Sequence, residues 1–309
     1  MNNKIVILGA GAVGSTLGAA LEEKYSGSVT LIGRKSHVDK IISDGLSIEG
    51  DVSKNLKISA KTKIDFSLEN TLLIISTKIT TLPGAIEEIL PFVTDTTTIL
   101  LIQNGYGAKD IAIEAINGKI SENNVYQSII SMGVVFREPG IIDFWGGGIK
   151  VEKPFTETDY SEIFKDTFID FKATRNIGHA IWYKLVINSV VNPLSVILKA
   201  KNKVIAETQY NDLKEKILNE CIAVAKSEGF DTSMTVEQFN SYISNDNYTS
   251  MLQDYFYKRN NEIDLINGVI IRFGEKNGLD VSMNKLIFDL VKSIEKVNLE
   301  GKSISNIQG

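Results

Sequence analysis

Ile5-Val-Ile-Leu8 runs directly into Gly9-Ala-Gly11-Ala-Val-Gly14, and Ser15 to Tyr25 follows with Leu17, Ala20, Leu21 and Lys24 at helical spacing. Ser28-Val-Thr-Leu-Ile32 then reads as another strand. A short continuous apolar run is what a strand buried on both faces needs. Strand, glycine turn, helix and strand in so compact a unit predict a dinucleotide-binding βαβ. Gly9 permits the tight turn, Gly11 lets the backbone approach a pyrophosphate, and Gly14 lets helix and strand pack closely. The segment Gly9, Ala10, Gly11, Ala12, Val13, Gly14 is therefore the candidate phosphate cradle, completed by the N–H groups and positive dipole end of the helix.

The end of the second strand bears on which dinucleotide binds. NAD binders usually carry Asp or Glu there for the ribose 2′-hydroxyl. Here the chain reads Gly33-Arg34-Lys35-Ser36. A guanidinium at that place suits the extra 2′-phosphate of NADP, so Arg34 is expected to select NADPH.

Alternation continues with a strand at Thr71–Ser76, a helix at Leu82–Phe92 with Pro83 near its start, and a strand at Thr97–Ile102. Ligands of doubly wound sheets sit outside the carboxyl ends of the strands. Lys78 and Asn104 fall there, Lys78 as a candidate for cofactor or substrate and Asn104 for a ribose or substrate group. Asn124 to Val151 is strand-rich, with a break at Arg137-Glu-Pro-Gly140, and predicts antiparallel strands that extend the sheet or cover its edge.

From about Asn176 the period becomes helical. Helices are expected at Ala180–Leu198, Asn211–Glu228, Val236–Ser244, Met251–Asn277 and Met283–Leu299, with Gly229, Gly278 and Gly301 as C-terminal caps. The fold class is α/β: an N-terminal Rossmann-type doubly wound sheet over residues 1–174 and an all-helical domain over residues 175–309.

Within Trp182-Tyr-Lys-Leu-Val-Ile-Asn-Ser-Val-Val-Asn-Pro-Leu, the side chains of Lys184, Asn188 and Asn192 recur at i, i+4, i+8. They stack on one face of an otherwise apolar helix. Burying an ammonium and two amides costs free energy unless something hydrogen-bonds them, and a small polar ligand answers that need. Pro193 removes one backbone bond beside this stripe and is expected to kink the helix, either exposing backbone to a ligand or serving packing. Further on, Ser250 reads either as a helix N-cap or as a ligand group. Glu262 reads either as an exposed helix residue or as the partner of Lys184.

Composition narrows the function classes. A net charge of −5 over 309 residues, with Lys and Arg spread along the chain, gives no footprint for nucleic acid. The single cysteine, Cys221, excludes an internal disulfide and reads as a buried helix residue. No cluster has metal-ligand spacing, so no metal is expected. No stretch reads as a membrane span or signal sequence, and a cytoplasmic location without membrane partners is expected. Neither His37, in a polar stretch, nor His179 is assigned chemistry.

Together these motifs resemble the ketopantoate reductase family over nearly the whole chain. The resemblance rests on the opening glycine motif, Asn104-Gly105, Trp182-Tyr-Lys-Leu-Val-Ile-Asn with Asn192-Pro193-Leu194, and Ser250-Met-Leu-Gln-Asp254 with Glu262-Ile-Asp264-Leu-Ile-Asn-Gly268. It implies a Rossmann domain and a helical domain with the active site in the cleft between them. It also implies reduction of 2-dehydropantoate to pantoate, for pantothenate and coenzyme A synthesis, with NADPH as cofactor. Lys184 matches the family's general acid, and Glu262 the carboxylate that cooperates with it and contacts cofactor or substrate. Asn188, Asn192, Asn202 and Ser250 match positions that hold the small-molecule 2-oxo acid. Asn104 matches a residue near nicotinamide and substrate, and Arg34 and Lys78 match cofactor positions. One departure is Ile79-Thr80-Thr81, where many members carry Gln shortly after the lysine. Two rivals stay open: a reductase of another 2-oxo acid on the same scaffold, and a non-catalytic NADPH-binding sensor. A homodimer is compatible with the sequence, which does not require one.

Overall fold

A computed structural model of the chain describes residues 4–301 apart from 159, 161 and 245. The chain forms two compact units, the first running to Ile177 and the second starting at Gly178.

The first unit opens as Lys4–Leu8 (β1), Ala12–Lys24 (α1), Val29–Ile32 (β2), Lys35–Asp44 (α2), Leu46–Gly50 (β3), Lys54–Leu56 (β4) and Ser59–Lys61 (β5). It continues through Thr71–Ile75 (β6), Leu82–Ile89 (α3), Thr98–Leu101 (β7), Ala108–Ile116 (α4), Val125–Glu138 (β8), Ile141–Glu152 (β9) and Asp170–Thr174 (β10). The strands form one sheet in the order β4-β3-β9-β8-β7-β6-β1-β2-β5, with β10 also paired to β9. From β5 to β8 every neighbouring pair is parallel. The apolar runs explain this: Ile5, Ile7, Leu31, Leu72, Ile74 and Leu100 are all buried in one core. Each such side chain contributes roughly 1.5–3 kcal/mol on burial.

The chain leaves β1 towards β2 on one side and β6 lies on the other, so strand order reverses at β1. The carboxyl ends at this switch point are where a doubly wound sheet binds its ligand. Gly9, Gly33-Arg34, Ser76-Thr77-Lys78 and Gln103-Asn104 all follow directly on β1, β2, β6 and β7. The strand-rich segment extends the sheet: β8 continues parallel beside β7, then turns back antiparallel as β9.

The second unit is helical: Ile177–Leu198 (α5), Asn202–Ile205 (α6), Asn211–Ser227 (α7), Val236–Ile243 (α8), Ser250–Phe256 (α9), Asn267–Lys276 (α10) and Ser282–Leu299 (α11). Gly229, Gly278 and Gly301, the expected caps, all have positive φ. Two expectations need correcting. Met251–Asn277 is not one helix, because the chain leaves α9 at Lys258, whose φ is +50°, and re-enters through a 3₁₀ turn at Ile263–Leu265 before α10. Five consecutive polar residues, Lys258 to Glu262, separate the two apolar runs at this break. Second, α5 is long and apolar enough by composition to cross a membrane, with 22 residues and a mean hydropathy of 1.4. Yet 67% of its apolar window is buried inside the protein, which is the signature of a core helix.

Candidate active site

The glycine turn is built for close approach. Gly9 has φ +105°, and a Cβ there would meet Thr77 N at 2.7 Å. A Cβ on Gly14 would meet Gly9 O at 2.3 Å and Ser76 Oγ at 2.5 Å. Around Gly11, by contrast, nothing lies within 4 Å of where a Cβ would stand. This is the open backbone a pyrophosphate requires. Gly11 is the N-cap of α1 and makes no side-chain capping bond, so Ala12, Val13 and Gly14 open a helix whose N–H groups suit phosphate. These residues fit a nicotinamide dinucleotide. Ala10 is buried, and its N–H shares Ile32 O with that of Gly9, which clips the turn to β2.

Arg34 is the exposed N-cap of α2. Its neighbour Lys35 is already paired with Asp39, one helical turn on. Lys78 is half-buried at the start of the 3₁₀ turn Ile79–Thr81, and Asn104 is half-buried beyond β7. Ile79, which departs from the family pattern, is buried and anchors its loop by packing.

Three supports of this turn escaped the sequence reading. Ser76 Oγ donates to Gly9 O at 2.8 Å. Gln103 Nε2 donates to Ile75 O at 2.8 Å and Thr77 O at 3.3 Å, tying the exit of β7 to that of β6 beside Lys78. The third is His37, read as part of a polar stretch but in fact 2% exposed. The Gly140 N–H donates to its Nδ1 at 2.9 Å. Its ring proton therefore sits on Nε2, which faces Ser15 Oγ at 2.9 Å. Burial pushes the imidazole down to about 4, so it is neutral near pH 7. His37 thus links α1, α2 and the β8–β9 turn. Only its place beside Arg34 and opposite the glycine turn distinguishes it, and that pairing is invisible along the chain.

In the second unit, Lys184, Asn188 and Asn192 lie on α5 as the spacing predicts, Asn192 buried and the other two half-buried. Burial lowers the Lys184 ammonium to about 8, while the Glu262 carboxylate acts to raise it. The fold therefore brings Glu262 into electrostatic range of Lys184. Glu262 heads the 3₁₀ turn, and its flanks are pinned: Asn261 Oδ1 accepts from Ile263 N at 2.8 Å, and Asn261 N donates to Glu295 Oε1 at 2.7 Å. It is not an exposed residue inside a helix.

Asn202 opens α6, and its N–H donates to Asn247 O at 3.0 Å, joining α6 to the segment that leads into α9. The N-cap of α9 is Thr249, not Ser250: Thr249 Oγ1 accepts from Leu252 N at 3.1 Å and lies 2.5 Å from Ser195 Oγ of α5. Ser250 is exposed in the first helical turn, one residue beyond. Cys221 is fully buried, its Sγ 3.5 Å from Asn284 Oδ1, and burial pushes its thiol up to about 12. Among the described residues, no group of three or more His, Cys, Asp or Glu is placed to hold a metal ion.

Residues 5–152 match the model of ketopantoate reductase PanE/ApbA, and residues 176–295 match that of its C-terminal part. The chain belongs to the ketopantoate reductase family. A 2-dehydropantoate 2-reductase of Pyrococcus horikoshii is 33% identical, over 95% of this chain and 98% of its own length. A PanE/ApbA family ketopantoate reductase from Ralstonia eutropha superposes with a TM-score of 0.85 at 26% identity, covering 96% of this chain and 99% of that one. D-mandelate dehydrogenase, solved with NADH and anilino(oxo)acetate, superposes with a TM-score of 0.84 at 25% identity and the same coverage. The Rossmann-type sheet and helical region are thus those of ketopantoate reductases. Membership makes the chain an oxidoreductase that works with a nicotinamide cofactor.

Proposed function

We propose that this protein reduces 2-dehydropantoate to pantoate with NADPH, the first unit binding cofactor and contributing Asn104 to the substrate, and the second carrying the acid and the other substrate-holding groups. One observation carries the reading of the second unit: a lysine lowered to about 8 by burial, attended by a carboxylate, on a helix face shared with two asparagines. Reduced nicotinamide, when bound, supplies the hydride. As the 2-oxo carbon accepts it, negative charge builds on the ketone oxygen. Lys184 Nζ stabilises that charge, donates its proton to the oxygen, and is left as the neutral amine until solvent reprotonates it. An ammonium near 8 is mostly charged at neutral pH and yet a readier acid than an ordinary lysine. Glu262 keeps it charged and contacts cofactor or substrate. Asn104, Asn188, Asn192, Asn202 and Ser250 hold the 2-oxo acid so that its carbonyl is presented in one orientation. Gly9 to Gly14 and Lys78 bind the phosphates and sugars of the cofactor, and Arg34 its 2′-phosphate.

The likeness to D-mandelate dehydrogenase favours a second reading, in which the same scaffold reduces a different 2-oxo acid. Steady-state oxidation of NADPH and NADH with ketopantoate, pyruvate, oxaloacetate, 2-oxoisovalerate and phenylglyoxylate separates the two. The highest kcat/KM is expected for ketopantoate with NADPH, and a preference for another acid replaces the first reading with the second. Lys184→Ala is expected to lower kcat by roughly 10²–10⁴-fold while NADPH still binds. Near-normal turnover would remove Lys184 from the chemistry, and NADPH binding without oxidation by any 2-oxo acid would favour the sensor.

A further inference from the structure

Pro193 lies inside α5. In an unbroken helix, the N–H of residue 193 would bond to the carbonyl of Ser189, and proline has no N–H to give. Ser189 is fully buried, so water cannot take over that carbonyl. The missing bond comes from elsewhere: Asn267 Nδ2, also fully buried, donates to Ser189 O at 2.8 Å.

The direction of this bond is fixed by a chain of partners. Glu220 Oε1 accepts from Met283 N, and its Oε2 from Asn284 N, each at 2.9 Å, at the start of α11. An ionised carboxylate only accepts, so the contact of 2.8 Å from Asn284 to Glu220 Oε2 must be made by Nδ2. That turns Asn284 Oδ1 towards Asn267 Nδ2 at 3.0 Å. Asn267 then has both Nδ2 protons committed, one to Asn284 and one to Ser189. The bonds fan out from Asn267, one to the backbone of α5 and the other through Asn284 to the carboxylate that caps α11.

The place of the bond matters. Ser189 adjoins Asn188, and Pro193 adjoins Asn192, so the gap lies in the turn that joins the two asparagines of the stripe. Asn267 opens α10, directly after Ile266 and the 3₁₀ turn that Glu262 heads. We infer that Asn267 is a positioning residue: by filling the backbone gap that Pro193 leaves in α5, it fixes the segment carrying Glu262 against the helix carrying Lys184, Asn188 and Asn192. The inference rests on the proposed roles of those residues, which Asn267 itself does not share. Reaction geometry is sensitive to small displacements, so the bond governs turnover as well as stability.

A double-mutant cycle in the full chain tests this. Asn267→Ala is expected to lower kcat roughly 10- to 100-fold and lower the melting midpoint, with the Kd for NADPH unchanged. Pro193→Ala restores an N–H that can serve Ser189 O. In that background both penalties of Asn267→Ala are expected to shrink, that on kcat by at least about threefold. Should Asn267→Ala not fold, Asn267→Ser, whose hydroxyl carries one proton for two acceptors, takes its place. Penalties that stay within about twofold across the two backgrounds overturn the inference. So does a variant that melts earlier but turns over normally. A fully active Lys184→Ala variant sinks the catalytic reading instead, and leaves the coupling in the melting midpoints standing.

Discussion

If Lys184 is the acid, turnover must follow its protonation. Burial holds its ammonium at about 8 instead of 10.5. The lysine is then about 90% charged at pH 7 and about 10% charged at pH 9, a drop of roughly tenfold. An ordinary lysine would lose only about 3% of its charge by pH 9. Under saturating substrate and NADPH, kcat measured by loss of NADPH absorbance is therefore expected to fall on a basic limb centred near pH 8. Glu262 sets the second half of the test. Its carboxylate raises the lysine, so Glu262→Gln lets the ammonium lose its proton earlier and moves the limb to lower pH. A kcat that stays level to pH 9.5, or a limb that moves to higher pH in Glu262→Gln, refutes the assignment of that limb to Lys184.

Three further outcomes follow from the first unit. Arg34→Ala is expected to raise KM for NADPH about tenfold or more with little change for NADH, since a charge-assisted pair to the 2′-phosphate is worth on the order of 1.5–3 kcal/mol. Equal changes for both cofactors would remove Arg34 from that role. Gly11→Ala is expected to fold normally and lose cofactor affinity, because the added methyl enters open space over the turn. Gly14→Ala is expected to lower the melting midpoint as well, because its methyl strikes Gly9 O and Ser76 Oγ. Identical melting curves for the two variants would contradict this. His37 is neutral in the fold, with its pKa lowered from 6.5 to about 4. It therefore supports stability in full above about pH 6.5, and the support is lost as pH falls towards 4, up to about 3 kcal/mol. His37→Gln should flatten the fall in chemical-denaturation stability between those pH values, and an unchanged slope would show that other groups cause it.

The βαβ opening was legible because its signals are local: a continuous apolar run, glycines at fixed offsets and a helical period follow one another along the chain. Edge strands were not. Lys54–Leu56 and Ser59–Lys61 carry no apolar pattern and are strands only because Leu46–Gly50 and Val29–Ile32 pair with them. The helices at Lys35–Asp44 and Ala108–Ile116 also went unread, the first masked by a polar run that hides the burial of His37, Val38 and Ile41. In the second unit the i, i+4, i+8 stripe was readable because one helix holds it. The link between Lys184 and Glu262 was one of two open readings of Glu262 until the resemblance favoured it, since nothing in the intervening sequence dictates that the two should meet. Asn267 was quoted as part of a motif and given no role. What it does depends on a missing proton donor in another helix, and absence of a donor leaves no mark on the partner's sequence.

The lone thiol has a practical consequence. Cys221 is sealed in the interior with its ionisation pushed up to about 12, so almost none of it is thiolate at neutral pH. Maleimides and mild oxidants should leave the native chain untouched. A cysteine introduced on any exposed turn then becomes the sole labelling handle, and a fluorophore or spin probe can be attached without first deleting Cys221 from a core where its removal would open a hole.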